Sequence, residues 1–259
     1  MIFETHAHFE DDKYNEDREE ELARVFEAGV SYLVNVASSM ETSKQCMELA
    51  KAHAPIYASV GVHPDHVEEL DEAALAQLAA WCREEKVVAL GEIGLDYYYE
   101  DPVRSIQQKW FAAQLEIAYQ EKMPVIVHSR DAAEDTMRLL KEHHGDSLTG
   151  IIHCFGYSKE MAREFIKLGF DIGVGGVVTF KNARRLVEVV EDIPLSHIVL
   201  ETDCPYMAPV PHRGKRNTSR YLPYVAEKIA EIKQVPVEEV YEVTMANAKR
   251  IYRLEEKER

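Results

Sequence analysis

Two histidines one residue apart, His6 and His8, close the short run Met1-Ile2-Phe3-Glu4-Thr5 that reads as a strand. Residues two apart on a strand project to the same side. A strand here therefore delivers two imidazoles to one point, and imidazole is the commonest protein ligand for transition metals. A lone pair of this kind also arises as two polar residues on a solvent-facing strand. The distinction rests on what the rest of the chain supplies.

It supplies matching groups after five further apolar runs. These are Gly61-Val62-His63-Pro64, then Gly91-Glu92-Ile93-Gly94-Leu95-Asp96, His128-Ser129-Arg130-Asp131, His153-Cys154-Phe155 and Glu201-Thr202-Asp203. An isolated His or Asp in such a place is usually a loop residue or a helix cap. Six strand ends with metal-type or phosphate-type side chains are harder to obtain by chance. His6, His8, His128 and His153 with Glu92 and Asp203 exceed the demand of one tetrahedral ion, since catalytic zinc takes three protein ligands and keeps one position open. The inventory therefore suits two divalent ions. One is assigned His6, His8, Glu92 and Asp203, the other Glu92, His128 and His153, with Glu92 as the bridge. Closely spaced ions activate water and stabilise attacking and leaving oxygens. Nitrogen and oxygen donors fit zinc, manganese or a related ion, and magnesium less well.

Such residues need a frame that brings strand ends together. Strand candidates are Ile2–Thr5, Tyr32–Val36, Ile56–Val60, Val87–Leu90, Val125–His128, Gly150–His153, Phe170–Val174 and His197–Glu201. Their near-continuous apolarity suits parallel strands covered on both faces. Helical patterns lie between them: Glu16–Ala28, Thr42–His53, Glu72–Glu85, Ser105–Gln120, Ala132–His143, Lys159–Leu168 and Ala183–Val190. Arg220–Lys233 and Val237–Tyr252 follow the last strand, with Pro236 opening the final helix. The expected fold is α/β: a (β/α)8 TIM barrel with an extra C-terminal helix, one domain over residues 1–259. A doubly wound open sheet is the alternative. In a barrel the chemistry sits at the C-terminal ends of the strands, where the polar residues fall. Only strands two and seven contribute nothing obvious.

Composition narrows the function further. The 259 residues carry 30 Lys and Arg against 46 Asp and Glu, a net charge of −16, which argues against broad electrostatic coating of a duplex. A local phosphate site remains open, because bound ions dominate their surroundings. Cys46, Cys82, Cys154 and Cys204 form no CxxC pair, so neither a zinc knuckle nor a disulfide framework is expected. Cys154 and Cys204 are read as buried free thiols facing away from the site if they lie on strands. Without a run of roughly 18 apolar residues or a secretory leader, a cytoplasmic location is expected.

At these motifs the chain resembles the TatD family of metal-dependent deoxyribonucleases, within the amidohydrolase-like barrels. The likeness runs through Thr5-His6-Ala7-His8, Val60-Gly61-Val62-His63-Pro64, Gly91 to Tyr97 and Pro124 to Asp131. It continues through His153-Cys154-Phe155, Leu200 to Tyr206 and Arg213-Gly214-Lys215-Arg216-Asn217. The resemblance implies a metal-dependent phosphodiesterase, a 3′–5′ exonuclease-type DNase on single strands, with DNA as partner and a monomeric chain. It carries metal-ligand roles onto His6, His8, Glu92, His128, His153 and Asp203, and places His63 beside the substrate phosphate. Two departures stand out. The family often has Ser-Gly where this chain has Gly156-Tyr157, and commonly Asn-Glu-Pro where it has Asn217-Thr218-Ser219.

Roles follow. Asp203 is expected to bind an ion and accept the proton of the attacking water, with Glu92 and His63 completing the catalytic set. His63 contacts phosphate or protonates the leaving group, against a plain turn before Pro64. Arg130 grips phosphate, or pairs with Asp131. Arg213 belongs to the one basic cluster, His212 to Arg220, read as a phosphate clamp or a solvated loop. Tyr97, Tyr98 and Tyr99 stack on bases or pack at the rim. Asp96 orients a ligand or caps a turn. The competing function is a binuclear amidohydrolase-type enzyme acting on a small amide, lactone or phosphoester.

Overall fold

The apolar runs pair in chain order because each must bury both faces and satisfy its backbone against a neighbour. The computed structural model describes residues 1–143 and 147–254. Its strands are β1 Ile2–Ala7, β2 Val30–Asn35, β3 Ile56–Val60, β4 Val87–Asp96, β5 Val125–Arg130, β6 Gly150–Ile152, β7 Phe170–Val174 and β8 Ile198–Leu200. All neighbours are parallel, in the order β1 to β8. A parallel bridge between Ala7 and Cys204 closes the sheet. His8 N–H donates to the Cys204 carbonyl (2.8 Å), and Asp203 N–H to the His6 carbonyl (2.9 Å). The sheet is therefore the expected (β/α)8 barrel and not an open one.

Helices α1 Arg18–Glu27, α2 Met40–Ala52, α3 Glu72–Trp81, α4 Arg104–Glu121, α5 Ala133–Glu142, α6 Lys159–Lys167, α7 Arg184–Asp192, α8 Leu222–Lys233 and α9 Val237–Ile251 surround it. Side-chain caps set several starts, as Ser39 with Thr42 does for α2 and Asp71 for α3. The extra helix has a specific place. Ala248, Ile251 and Tyr252 join Phe3, Val34, Val36, Val88, Ile126, Ile151 and Val199 in the barrel's inner cluster. The end of α9 thus plugs the barrel from below, with Tyr252 donating to the Thr5 carbonyl at 2.9 Å.

Two strand boundaries depart from expectation in ways that aim the site. Phe3 belongs to the inner cluster while Ala7, of the same parity, belongs to the outer one. The β1–β2 register shifts between Glu4 and Ala7, and this turns His6 and His8 inward. In β4, Val88 faces inward but Leu90 outward, after a register shift against β3 between Val87 and Ala89, and a second shift, against β5, follows between Leu90 and Ile93. β4 therefore does not end at Leu90; it runs on to Asp96 alongside β5, keeping Glu92 and Asp96 within the sheet. The cysteines also need correction. Cys46, Cys82 and Cys204 are buried, but Cys154 is only half-buried, beyond the end of β6 rather than on it.

Candidate metal centre

Each side chain of the centre leaves a strand or a strand exit. His6 comes from β1, with His8 one step past its end; Glu92 comes from β4 and His128 from β5, while His153 and Asp203 lie just past β6 and β8. The chain turns sharply at three of these exits, where Asp131, Cys154 and Asp203 hold φ of 53°, 45° and 55°. Left-handed backbone at non-glycine residues is uncommon and clusters at functional sites.

The rings converge. His6 Nε2 and His8 Nε2 lie 3.1 Å apart. Asp203 Oδ1 is 3.3 Å from His8 Nε2, 3.7 Å from His6 Nε2 and 3.8 Å from His153 Nε2. The two oxygens of Glu92 face opposite halves. Oε2 lies 3.3 Å from His6 Nε2, whereas Oε1 lies 2.8 Å from His128 Nδ1 and 3.7 Å from His153 Nε2. That is the placement expected of a bridging carboxylate. The tightest donor groups nevertheless differ from the expected division. His6, His8 and Asp203 form one, and His63, Glu92 and His128 another, while His153 groups with His6 and Glu201.

The far side of each ring shows which nitrogen is free. His8 Nδ1 lies 2.8 Å from the Val36 carbonyl, which only accepts, so Nδ1 carries the proton and Nε2 offers its lone pair. His128 Nε2 sits 3.0 Å from Asp96 Oδ2, so Asp96 orients this ring and leaves Nδ1 facing Glu92. His63 differs: its Nδ1 accepts from the Asp65 N–H (3.2 Å), capping the 3-10 turn Pro64–Glu69. Its proton is then on Nε2, which faces Glu92 Oε1 at 3.9 Å. His63 thus caps the turn and turns its Nε2 edge toward the centre without a hydrogen bond to it.

Electrostatics prepare the oxygens. Burial alone would raise the Glu92 carboxyl, but the charges of His153 and His6 hold it well below the usual range. Asp203 is likewise lowered, burial being outweighed by the His8 hydrogen bond and the His153 charge. Burial opposes protonation of His128 and His153, yet Asp96 and Glu92 hold the first at about 9, and Glu201 and Glu92 the second at about 9. His8 is raised well above the ordinary value against burial, by Asp203 and Glu10. Burial, then His153, lowers His6; burial, then His128, lowers His63 to about 3. Charged carboxylates thus share the centre with imidazoles whose protons a cation would replace. The cavity above holds about 600 Å³, and among the described residues no Lys or Arg lines it. The donor set fits divalent ions.

The other expected residues fall at the rim. Among the described residues Arg130 makes no ion pair with Asp131; its guanidinium lies 3.8 Å from the Tyr98 ring centroid. Tyr98 and Tyr99 are more than half exposed, whereas the Tyr97 hydroxyl is tied to Asp135 at 2.8 Å. Arg213 stacks over Phe180 at 4.2 Å. Much of the basic segment is spent on structure: Arg216 pairs with Asp17 (2.7 Å), Arg220 with Glu21 (2.8 Å), and His212 stacks on Tyr221. As a phosphate clamp it shrinks to Arg213 and Lys215.

Three buried carboxylates have roles that the motifs do not indicate: Glu4 and Glu10 lie outside them, and Glu201 stands within the last one. Glu4 accepts from Thr202 N–H (2.9 Å) and Thr202 Oγ1 (2.5 Å), fixing the Glu201-Thr202-Asp203 turn. Glu10 accepts from Asn35 Nδ2 (2.6 Å) and lies 3.3 Å from His8 Nδ1. Glu201 lies behind His153. The available signal was spacing: Glu201 precedes Asp203 by two, as His6 precedes His8. Strands two and seven contribute after all, through the Val36 carbonyl and the small Gly173.

A model of the TatD-related DNase family matches residues 3–253. The chain belongs to this family. It is 42% identical over 254 residues to the uncharacterized metal-dependent hydrolase YabD of Bacillus subtilis (strain 168), covering 98% of this chain and 100% of that protein. It is 37% identical over 259 residues to the uncharacterized metal-dependent hydrolase YcfH of Escherichia coli (strain K12), covering 98% and 97%. The crystal structure of YjjV, a TatD homologue from E. coli K12, superposes with a TM-score of 0.92 at 33% identity, over 96% of this chain and 97% of that one. The two departures from the TatD pattern now have local explanations. Where the family commonly has Glu, Thr218 donates to the buried Glu21 of α1. The Tyr157 hydroxyl is 2.9 Å from Ser129 Oγ and accepts from the Ala132 N–H at 3.1 Å, bracing the β5 exit.

Proposed function

We propose that this chain hydrolyses phosphodiester bonds of DNA, working from 3′ ends of single strands as a monomer in the cytoplasm. The chain is a metal-dependent hydrolase of the TatD family; the choice of phosphodiester is the finer step. One observation carries it: four imidazoles and Asp203 surround Glu92, whose two oxygens face opposite halves of the centre. His6, His8, Glu92 and Asp203 would hold one divalent ion, and Glu92, His128 and His153 the second. Two such ions, when bound, supply Lewis acidity and an activated water for in-line displacement at phosphorus.

The chain's own groups do the rest. Asp203, open to the cavity, accepts the proton of the attacking water. His63 presents Nε2–H to a phosphate oxygen, its tautomer set by the Asp65 N–H. Asp96 keeps the His128 ring aligned. Arg130 with Tyr98 and Tyr99 offers a cationic and aromatic rim for an unpaired nucleotide, and Arg213 a second phosphate contact. Among the described residues no helix is long and apolar enough to cross a membrane.

The strongly acidic cavity lining, with Arg216 and Arg220 engaged elsewhere, favours a second reading: a binuclear enzyme for a small amide, lactone or phosphoester. Incubation of metal-loaded protein with end-labelled single-stranded DNA separates the two, beside chelator and Asp203→Asn controls. Progressive shortening that both controls abolish supports the nuclease. Intact DNA with every divalent ion tried sinks it.

A further inference from the structure

The Glu201 carboxylate sits where no water-facing role is open to it. The residue is 1% exposed. Oε1 accepts the Cys154 N–H at 2.6 Å, where the chain adopts left-handed backbone at Cys154. Oε2 lies 3.2 Å from His153 Nδ1. Oε2 and His153 Nδ1 are both buried and neither makes a hydrogen bond, so their 3.2 Å approach is an ion-pair contact. Two buried polar groups left over side by side each carry a cost that only the other can relieve. The space is cut for this carboxylate: a Cβ on Gly173, across in β7, would come within 2.3 Å of Oε2.

We propose that Glu201 is a positioning residue for the metal centre, accepting the Nδ1 proton of His153 so that Nε2 carries the lone pair toward Glu92 and Asp203. The inference rests on the metal-centre reading above. Glu201 stands on the opposite side of the ring from the other donors, since His153 Nε2 is the nitrogen that faces Glu92 Oε1 and Asp203 Oδ1. A carboxylate behind a ligating imidazole selects its tautomer, orients its plane and makes it a stronger donor. Here the effect extends to a second ligand. The His6 ring stacks on His153 with centroids 3.5 Å apart and planes 19° from parallel, so holding one ring restrains the other. Glu201 thereby links β6 and β8 to β1 behind the centre, as Asp96 links β4 to β5 beside it.

The test measures zinc affinity alone, by competition with a chromophoric chelator, in Glu201→Gln and in Gly173→Ala. Gln keeps the volume but has only one acceptor oxygen for two donors. The Gly173→Ala methyl displaces the carboxylate without removing any hydrogen-bonding group, and serves wherever Glu201→Gln fails to fold. The expected result is zinc binding roughly 10–100-fold weaker in each folded variant. Above about pH 10, where the zinc-free ring is neutral, the nitrogen-15 signals of His153 are expected to shift away from the Nδ1–H form. Zinc affinity within about twofold of the wild type in a folded variant, or an unchanged His153 tautomer, overturns the proposal. His153→Ala is the control that isolates the underlying reading. If it too binds zinc like the wild type, the metal-centre assignment fails; if it loses zinc while Glu201→Gln does not, only the role of Glu201 fails.

Discussion

Two cavities of about 600 Å³ each lie at opposite ends of the barrel. The upper one, at the strand exits, gathers His8, His63, His128, His153, Glu92 and Asp203 with no Lys or Arg among its described lining residues. The lower one, at the strand entries, is lined by Arg83, Lys86, Lys122, Glu121, Cys82 and the end of α9. Its charges answer one another. Arg83 grips Glu121 through two hydrogen bonds, Lys86 Nζ donates to the Ala54 and Ile56 carbonyls, and Arg253 donates to the Lys122 carbonyl. Burial pushes the Cys82 thiol up to about 12, away from thiolate chemistry. Equal volume therefore carries opposite meanings. Above, several donors are aimed at one point and held there from behind; below, Arg83, Lys86 and Arg253 are each satisfied by a structural partner. What separates a site from a crevice is convergence of unspent donors.

The largest effect that sharpens this contrast is expected at Asp203. Asp203→Asn should lower kcat on single-stranded DNA by roughly 10²–10⁴-fold, the range for loss of a proton acceptor, with the zinc-free fold intact by circular dichroism. Activity near that of the wild type would move the chemistry out of the upper cavity.

Next comes a pH effect on the metal-free fold. Burial, opposed by hydrogen bonds from Thr202 and Ser219, raises Glu4 from 4.5 to about 7. The folded state therefore holds the proton longer than the unfolded one. Stability from this group is complete below pH 4.5, falls as pH rises, and is gone above about 7. A gap of 7 − 4.5, or about 2.5 units, corresponds to roughly 3 kcal/mol. Denaturant titrations across this window should show Glu4→Gln losing less stability than the wild type as pH rises. Parallel curves would mean Glu4 is ionised throughout.

Asp96→Asn should weaken zinc binding about 10–100-fold by releasing the His128 ring, read by chelator competition. Unchanged affinity would make Asp96 a turn cap only.

Arg213→Ala should raise KM for single-stranded DNA a few-fold at low salt and shrink the salt dependence by about one phosphate contact. A salt slope identical to the wild type would leave Arg213 as packing on Phe180.

The smallest effect belongs to the lower cavity. Arg83→Ala should leave kcat and KM unchanged and lower the melting temperature only slightly, because the pair is solvent-screened. A clear loss of turnover there would break the comparison.

Much of this was legible before any folding. Strands buried on both faces must read as apolar runs, and helices packed on one face as periodic ones. Those patterns place all eight strands and nine helices found among the described residues. The polar positions at the barrel mouth were legible too, because a polar residue after a buried strand has only the mouth to face. The inward aim of His6 was not. Simple alternation from Phe3 puts it on the outer side, and only the register shift against β2 reverses that. Nor was the fate of the basic segment, since Arg216 and Arg220 meet Asp17 and Glu21 across a sequence separation of 199.

By itself, then, the sequence determined the barrel, its closing helix and the residue types at the strand mouths, all consequences of short-range burial and hydrogen-bond periodicity. The tertiary structure alone decided which nitrogen of each histidine faces the centre and which carboxylates stand behind the rings. It also decided that the His63 Nδ1 caps a turn and which arginines are spent on structural pairs. Those outcomes depend on partners from distant strands, and a side chain's partner is set by where the closed barrel places it, not by its neighbours in the chain.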